Sequence, residues 1–202
     1  RENVFKFDEY NILNIGLFSE KLISYLKWED GKQFRKKTAI DDFIFMCFLV
    51  GNDFVPNIPT IAILEGGIDI MLDVYKSVGK DYGHLTRVCN KDDPLLVFRT
   101  DSLKVFLGTL SQYEKGLLEE KYKNLDKFID DPLLKKYFDG NEFDFEGYKK
   151  EFYQKKLGIE EDDTLTKKDV CNNYIQGLDW VINYYKLGNP SWTWYYKRFY
   201  AP

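Results

Sequence analysis

Apolar residues are densest between Ile40 and Val50, where only Asp41 and Asp42 interrupt them. An α-helix over this stretch would be apolar on all sides, which predicts a helix buried in the middle of a domain. Thr38 and Asp41 have the spacing of a capping box, with Asp41 in place of the usual Glu. The pattern therefore predicts a helix that begins at Thr38 and has both acids near its positive end.

The same helix is predicted to end at Gly51, because Gly is a natural helix stop and Pro56 and Pro59 prevent the helix from resuming. Asp53 then lies at a fixed point just beyond a buried helix. One interpretation is that its carboxylate is an oxygen ligand for Mg²⁺. The other is an Asn-Asp turn that caps backbone N–H groups, and spacing alone favours this turn.

Elsewhere along the chain, helical spacing of apolar residues predicts helices over residues 15–27, 68–78 and about 101–117. A last long helix is predicted to begin at Thr166, with Asp169 completing its cap, and to end at Gly188 and Pro190. Residues 79–100 carry Gly, Asn, Asp and Pro without clear periodicity and predict an irregular segment. A short alternating run at residues 4–8 predicts a strand.

Composition restricts the function classes. The 202 residues are 44% hydrophobic, enough for one large domain or parts of two, and the net charge of −4 gives no overall positive field. Nucleic acid would therefore have to be bound through local features. The three cysteines show no CxxC spacing, which favours reduced thiols over a zinc site. With no apolar run of about 18 residues and no signal-like start, we expect an intracellular protein without a membrane partner.

Several other candidates receive structural interpretations. The single histidine, His84, has no GxSxG motif or neighbouring Cys to support nucleophilic catalysis, and it is predicted to be a surface or turn residue. The basic triplet Arg35–Lys37 is predicted to form a solvated turn, with phosphate contact as the alternative. The acidic run at residues 160–163 is predicted to be solvated surface and not a metal cage.

Two long motifs resemble a known family. The run IDDFIFMCFLVGNDFVPNIP followed by LEGGID is similar to the eukaryotic 5′→3′ exoribonucleases, and so is the ending YIQGLDWVINYYKLGNPSWTWYYKRFYAP. This resemblance implies a mainly α chain that is the C-terminal part of an α/β nuclease core of the PIN or flap-nuclease type, followed by a helical extension. The core part would be residues 1–90, and the extension with its aromatic tail would be residues 91–202.

The resemblance also implies the chemistry. Asp53 would be a catalytic metal ligand for Mg²⁺ or Mn²⁺ in two-metal-ion hydrolysis of single-stranded RNA that carries a 5′-monophosphate. The other family acids and the basic phosphate pocket would lie upstream of Arg1, which is not a Met. We therefore expect the chain to be an excerpt of a longer enzyme, missing its N-terminal nuclease region and inactive alone.

The aromatic tail has two interpretations. In the resembling family a tail tryptophan stacks on the 5′ bases of RNA, and Trp192 and Trp194 both remain candidates for this role. Alternatively, the tail anchors one helix layer on another. Lys197–Phe199 stands where the family has Pro and His, and its added positive charge suits RNA. A competing hypothesis is a non-catalytic helical module whose tail binds an accessory protein.

The compartment stays open between nucleus and cytoplasm. The segment LEGGID favours the nuclear branch by resemblance.

Overall fold

The computed structural model describes residues 12–61, 66–90, 92, 94–123, 131–138 and 142–202. The strand predicted at residues 4–8 and the first two residues of LEGGID lie outside these ranges. Within them the helices are α1 (Ile15–Leu26), α2 (Lys36–Phe48), α3 (Gly67–Tyr82), α4 (Thr100–Ser111), α5 (Glu114–Lys123), α6 (Pro132–Lys136), α7 (Phe145–Phe152) and α8 (Thr164–Leu187). Strands β1 (Thr86–Val88) and β2 (Leu96–Phe98) form a hairpin, and a π-helical turn covers Tyr153–Leu157.

The described part of the chain is mainly α, as predicted. Helices α1 and α3 lie where the apolar spacing placed them, and α8 ends at Gly188 with φ +94°, a backbone conformation that suits glycine. None of the described helices combines the length and apolar character needed to cross a membrane. The proposed division at residue 90 stays a prediction.

Helix α2 differs from the prediction at its start and on one face. It begins at Lys36, two residues before Thr38, and the residue at its N-cap, Arg35, makes no side-chain cap. The predicted capping box is therefore wrong, and both acids lie inside the helix. Nor is the helix buried on all sides, because Ile44 and Cys47 are exposed.

Asp42 is the buried polar centre of the N-terminal half. Its side chain is 0% exposed. The Oδ2 atom accepts hydrogen bonds from the Tyr75 hydroxyl at 2.8 Å and the Leu85 N–H at 3.2 Å. The Oδ1 atom accepts from the Thr86 N–H at 2.8 Å and the Thr86 hydroxyl at 2.6 Å. A buried carboxylate needs such partners, and these fix α2 against α3 and β1.

His84 completes this network and is not the surface residue predicted. Its Nε2 atom lies 2.8 Å from the Arg35 N–H, which can only donate, so Nε2 carries the lone pair. The proton then sits on Nδ1, which donates to Asp42 Oδ2 at 2.8 Å. The histidine thereby joins the start of α2 to the end of α3. Burial and the nearby Asp42 carboxylate raise the pKa of Tyr75 far above its usual value, so its hydroxyl remains a donor.

The hairpin was missed from sequence. Its antiparallel register pairs Thr86 with Phe98 and Val88 with Leu96. The buried Asn183 side chain of α8 accepts from the Leu96 N–H at 2.9 Å and donates to the Leu96 carbonyl at 3.0 Å. The Asn183 side chain therefore hydrogen-bonds to the backbone of β2 as a neighbouring strand would, and it connects α8 to the hairpin.

Helix α8 begins at Thr164, earlier than predicted, because Asp163 is its cap and accepts from the Thr166 N–H at 2.9 Å. Hydrogen bonds from the Thr166 hydroxyl and from the Thr166 N–H hold the pKa of Asp163 below its usual value. The last acid of the predicted solvated run is thus a capping residue.

Two apolar clusters form the core. The larger one unites α1 to α4, α8, the hairpin and the tail, and includes Phe45, Tyr75, Phe106 and Val181. The smaller one joins α5, α6, α7 and the π-helical turn with the start of α8. The larger cluster is the one that supports the loop after α2.

We expect Asp42→Asn to lower the free energy of unfolding by about 3 kcal/mol or more, because an amide cannot accept from all of these donors. Urea unfolding followed by circular dichroism measures it. The control Asp73→Asn removes an exposed ion pair with Lys76 and is expected to cost less than about 1 kcal/mol. Equal losses in both variants would contradict the structural role of Asp42.

Candidate functional site

The loop after α2 is built by Asn52. Its side-chain Oδ1 accepts hydrogen bonds from the Phe54 N–H at 2.9 Å and the Val55 N–H at 3.1 Å, while its own N–H donates to the Val55 carbonyl at 3.1 Å. This is the Asn turn considered from sequence, with Asn52 as the capping residue. Gly51 precedes it at φ +100°, and a side chain there would meet Asn57 at 3.0 Å. The loop therefore has one tightly defined course.

Asp53 occupies the outer corner of this turn and is exposed. Its carboxylate makes no hydrogen bond or ion pair with any residue that the structure describes. The capping role is taken by its neighbour, so the carboxylate remains available to a ligand. Within the described ranges, no group of three or more His, Cys, Asp or Glu side chains could hold a metal ion. Among the described residues, Asp53 therefore offers an isolated carboxylate and not a complete metal site.

Helix α8 holds the loop from the other side. The Tyr174 hydroxyl donates to the Pro56 carbonyl at 2.8 Å, and burial raises the pKa of this tyrosine well above its usual value, which keeps it a donor. Val55 is buried, and a Cβ placed on Gly177 would lie 2.8 Å from its Cγ1 atom. The helix backbone is therefore in close contact with the loop.

A stack of aromatic rings continues from the loop into the tail. Trp180 lies between two rings, with Tyr184 at a centroid distance of 5.1 Å and Trp194 at 5.8 Å. Phe54, which follows Asp53, contacts Trp180 at 5.1 Å and Tyr184 at 4.9 Å. The Asp53 loop and the tail thus belong to one surface of the molecule.

The two candidate tryptophans have different surroundings. Trp194 is half-buried, stacks on Trp180, and has its Cη2 atom 2.9 Å from the Cβ position of Gly177. Trp192 is 90% exposed. The structure thus packs Trp194 against Trp180 and Gly177 of α8 and leaves Trp192 open to solvent.

Sequence reasoning missed the role of Trp180 and Tyr184. Their spacing of four residues on one helix face was the available signal, because residues at that spacing are neighbours on a helix surface. The rings that Trp180 and Tyr184 contact come from the loop after α2 and from the tail. Spacing within α8 cannot predict these contacts.

Comparison with known proteins relates this chain to 5'-3' exoribonucleases by a family model and by individual relatives. A family model described as the Xrn1 helical domain matches residues 33–135 and 134–202. The chain is 27% identical to the 5'-3' exoribonuclease 2 homolog of Drosophila melanogaster, covering 81% of this chain and 24% of that relative. It is 24% identical to the human 5'-3' exoribonuclease 1, covering 96% of this chain and 14% of that relative. The chain therefore spans about a quarter or less of the length of these relatives.

We expect Gly177→Ala to destabilise the protein by about 1–3 kcal/mol, because the added methyl group would overpack Val55 and Trp194. Urea unfolding followed by tryptophan fluorescence measures both the stability and the environment of the stack. The control Gly108→Ala, in α4, meets no atom within 4 Å and is expected to be neutral or to stabilise by up to about 1 kcal/mol. A shift of the same sign and size in both variants would contradict the close packing at Gly177.

Proposed function

This chain belongs to the Xrn1 helical domain family, and from that membership we propose that it is part of a metal-dependent 5′→3′ exoribonuclease. The proposed substrate is single-stranded RNA with a 5′-monophosphate. Because the chain covers only a fraction of its relatives' length, catalysis is proposed for the longer protein and not for these residues alone. The observation that carries the proposal is an unbonded carboxylate, Asp53, held on a rigid turn beside an aromatic stack.

In this proposal Asp53 contributes one ligand to a metal centre that is completed by residues outside the described ranges. A carboxylate oxygen is the ligand type that Mg²⁺ and Mn²⁺ prefer. Such ions would supply activation of water and stabilisation of the leaving oxygen in phosphodiester hydrolysis. The chain's own task is to orient the carboxylate. Asn52 does this by taking the backbone donors of the turn, so that Asp53 is not used for capping.

We assign the contact with the RNA bases to Trp192. A base needs a free aromatic face, and the ring of Trp192 is 90% exposed. Trp194 is assigned a supporting role, because Trp180 covers one of its faces and Gly177 lies against its edge. A rigid support below an exposed ring would fix where the RNA end lies relative to Asp53.

In the intact protein, Asp53→Asn should lower kcat for hydrolysis of a 5′-phosphorylated RNA oligonucleotide by about 100-fold or more, because the amide is a poor metal ligand. Timed assays with Mg²⁺ and with Mn²⁺ measure it. The melting temperature should not change, since this carboxylate bonds to no described residue. The control Asp73→Asn, on α3, should keep wild-type rates. Wild-type rates in Asp53→Asn would overturn the proposal.

Trp192→Ala should weaken binding of a 5′-phosphorylated oligonucleotide about 5- to 150-fold, because a base stacked on an aromatic ring contributes about 1–3 kcal/mol. Fluorescence anisotropy in EDTA measures the affinity without hydrolysis. Trp194→Ala should instead lower the free energy of unfolding by about 2 kcal/mol or more. Loss of affinity in Trp194→Ala at unchanged stability, with none in Trp192→Ala, would reverse the two assignments.

A further inference from the structure

A cleft rich in positive charge lies at the opposite end of α2 from Asp53. Its cavity has a volume of about 430 Å³ and lies between the start of α2, the end of α3 and the hairpin. Among the residues that the structure describes, four cationic side chains line it, namely Lys32, Arg35, Arg87 and Arg99, and no Asp or Glu does. Because the chain as a whole has a net charge of −4, a local cluster of positive charges contrasts with the rest of the molecule and points to an anionic ligand.

The cleft continues into a second depression of about 610 Å³. The two share Lys32, Arg87, Arg99 and the ring of Tyr82, so together they form one open trough. Asp81 and Asp101 lie along the second part. The positive charge is therefore concentrated in the first part, and Tyr82 stands where the two parts meet.

The four cations are not neutralised by the described residues. The Arg87 guanidinium donates to the Cys89 carbonyl at 3.1 Å, and the Arg35 guanidinium lies 3.4 Å from Gln33 Oε1. Neither contact supplies a negative charge. No ion pair to a described carboxylate forms at any of the four, whereas Lys186 pairs with Asp41 elsewhere on the surface. Asp81 and Asp101 line only the second part of the trough, so the first part keeps a net positive charge, which favours an anionic ligand.

The backbone that carries these cations is firmly held. The Arg35 N–H donates to His84, which is bonded to the buried Asp42. The Arg99 N–H donates to the Leu85 carbonyl at 2.8 Å, and the Ser102 hydroxyl donates to the Tyr82 carbonyl at 2.9 Å. The trough is thus fixed before any ligand arrives, which lowers the entropic cost of binding.

We propose that this trough binds the sugar–phosphate backbone of single-stranded RNA. Proteins that bind single-stranded nucleic acid combine a positively charged groove for the backbone with aromatic rings on which the bases stack. In the trough, the Tyr82 side chain is 45% exposed beside the cations. An open trough with exposed cations suits a linear polyanion better than an enclosed small molecule. Of the triplet predicted to form a solvated turn, Lys36 and Lys37 lie inside α2, and we extend the alternative interpretation, phosphate contact, to Arg35 alone.

The site is separate from Asp53. Helix α2 has 13 residues and a rise of about 1.5 Å per residue, so its two ends lie about 20 Å apart. RNA binding in the trough needs neither a metal ion nor a 5′-monophosphate. The inference therefore stands or falls independently of hydrolysis at Asp53.

The test uses the combined variant Lys32→Gln, Arg87→Gln and Arg99→Gln in the intact protein. Affinity for a 5′-hydroxyl RNA oligonucleotide is measured in EDTA at several salt concentrations. The plot of log K against log salt should become shallower by about 2, because each lost phosphate contact removes about 0.7 from the slope for single strands. Affinity at low salt should fall by about tenfold or more.

A control variant, Lys115→Gln, Lys149→Gln and Lys168→Gln, removes the same charge from α5, α7 and α8 and should change the slope much less. Circular dichroism confirms that both variants are folded. Equal slopes in the two variants, or a wild-type protein that binds no RNA under these conditions, would overturn the proposal. Binding of inorganic tripolyphosphate that depends on the three cations, without RNA binding, would overturn RNA as the ligand. None of these results would bear on the Asp53→Asn experiment.

Discussion

The burial of one carboxylate fixes the geometry of this molecule. Asp42 lies in the middle of α2, and its partners come from α3, from the segment after it and from β1. Because a buried carboxylate without donors is very unfavourable, these elements have to meet around it. The position of α2 then determines where its two ends lie. One end delivers Arg35 to the basic trough, and the other delivers the turn that carries Asp53.

The proposed chemistry depends on a division of roles between neighbouring residues. Asn52 satisfies the backbone of the turn, and this leaves Asp53 without any partner in the described chain. Similarly, Trp194 packs against Trp180 and Gly177 while Trp192 remains exposed. In each pair one residue is bound into the structure and its neighbour is left exposed, which is what the proposed ligand contacts require. Helix α8 makes this possible, because Gly177 lets its backbone contact both the loop and Trp194.

Sequence periodicity predicted α1, α3 and the end of α8, because each depends on apolar residues within a few turns of one another. It failed at Asp42 and His84, because these two residues bond to each other across a separation of 42 residues in the chain. The spacing of Thr38 and Asp41 also occurs inside helices, so this spacing alone could not identify the start of α2. Strands of three residues are too short to show alternation of polar and apolar residues, so the hairpin was missed.

The turn at Asn52 and Asp53 was identified, but the sequence could not tell which of the two side chains does the capping. The two tryptophans lie in an irregular tail, where exposure is decided by α8 and not by spacing.

The proposed role of the Asp53 carboxylate is to bind a divalent metal ion in the intact protein. Crystals of that protein soaked in Mn²⁺ allow the ion to be located by anomalous diffraction. We expect a peak at about 2.1 Å from an Asp53 oxygen, the distance at which such small divalent cations bind carboxylates. A well-occupied metal centre elsewhere, with Asp53 outside its coordination shell, would show that Asp53 is not a metal ligand.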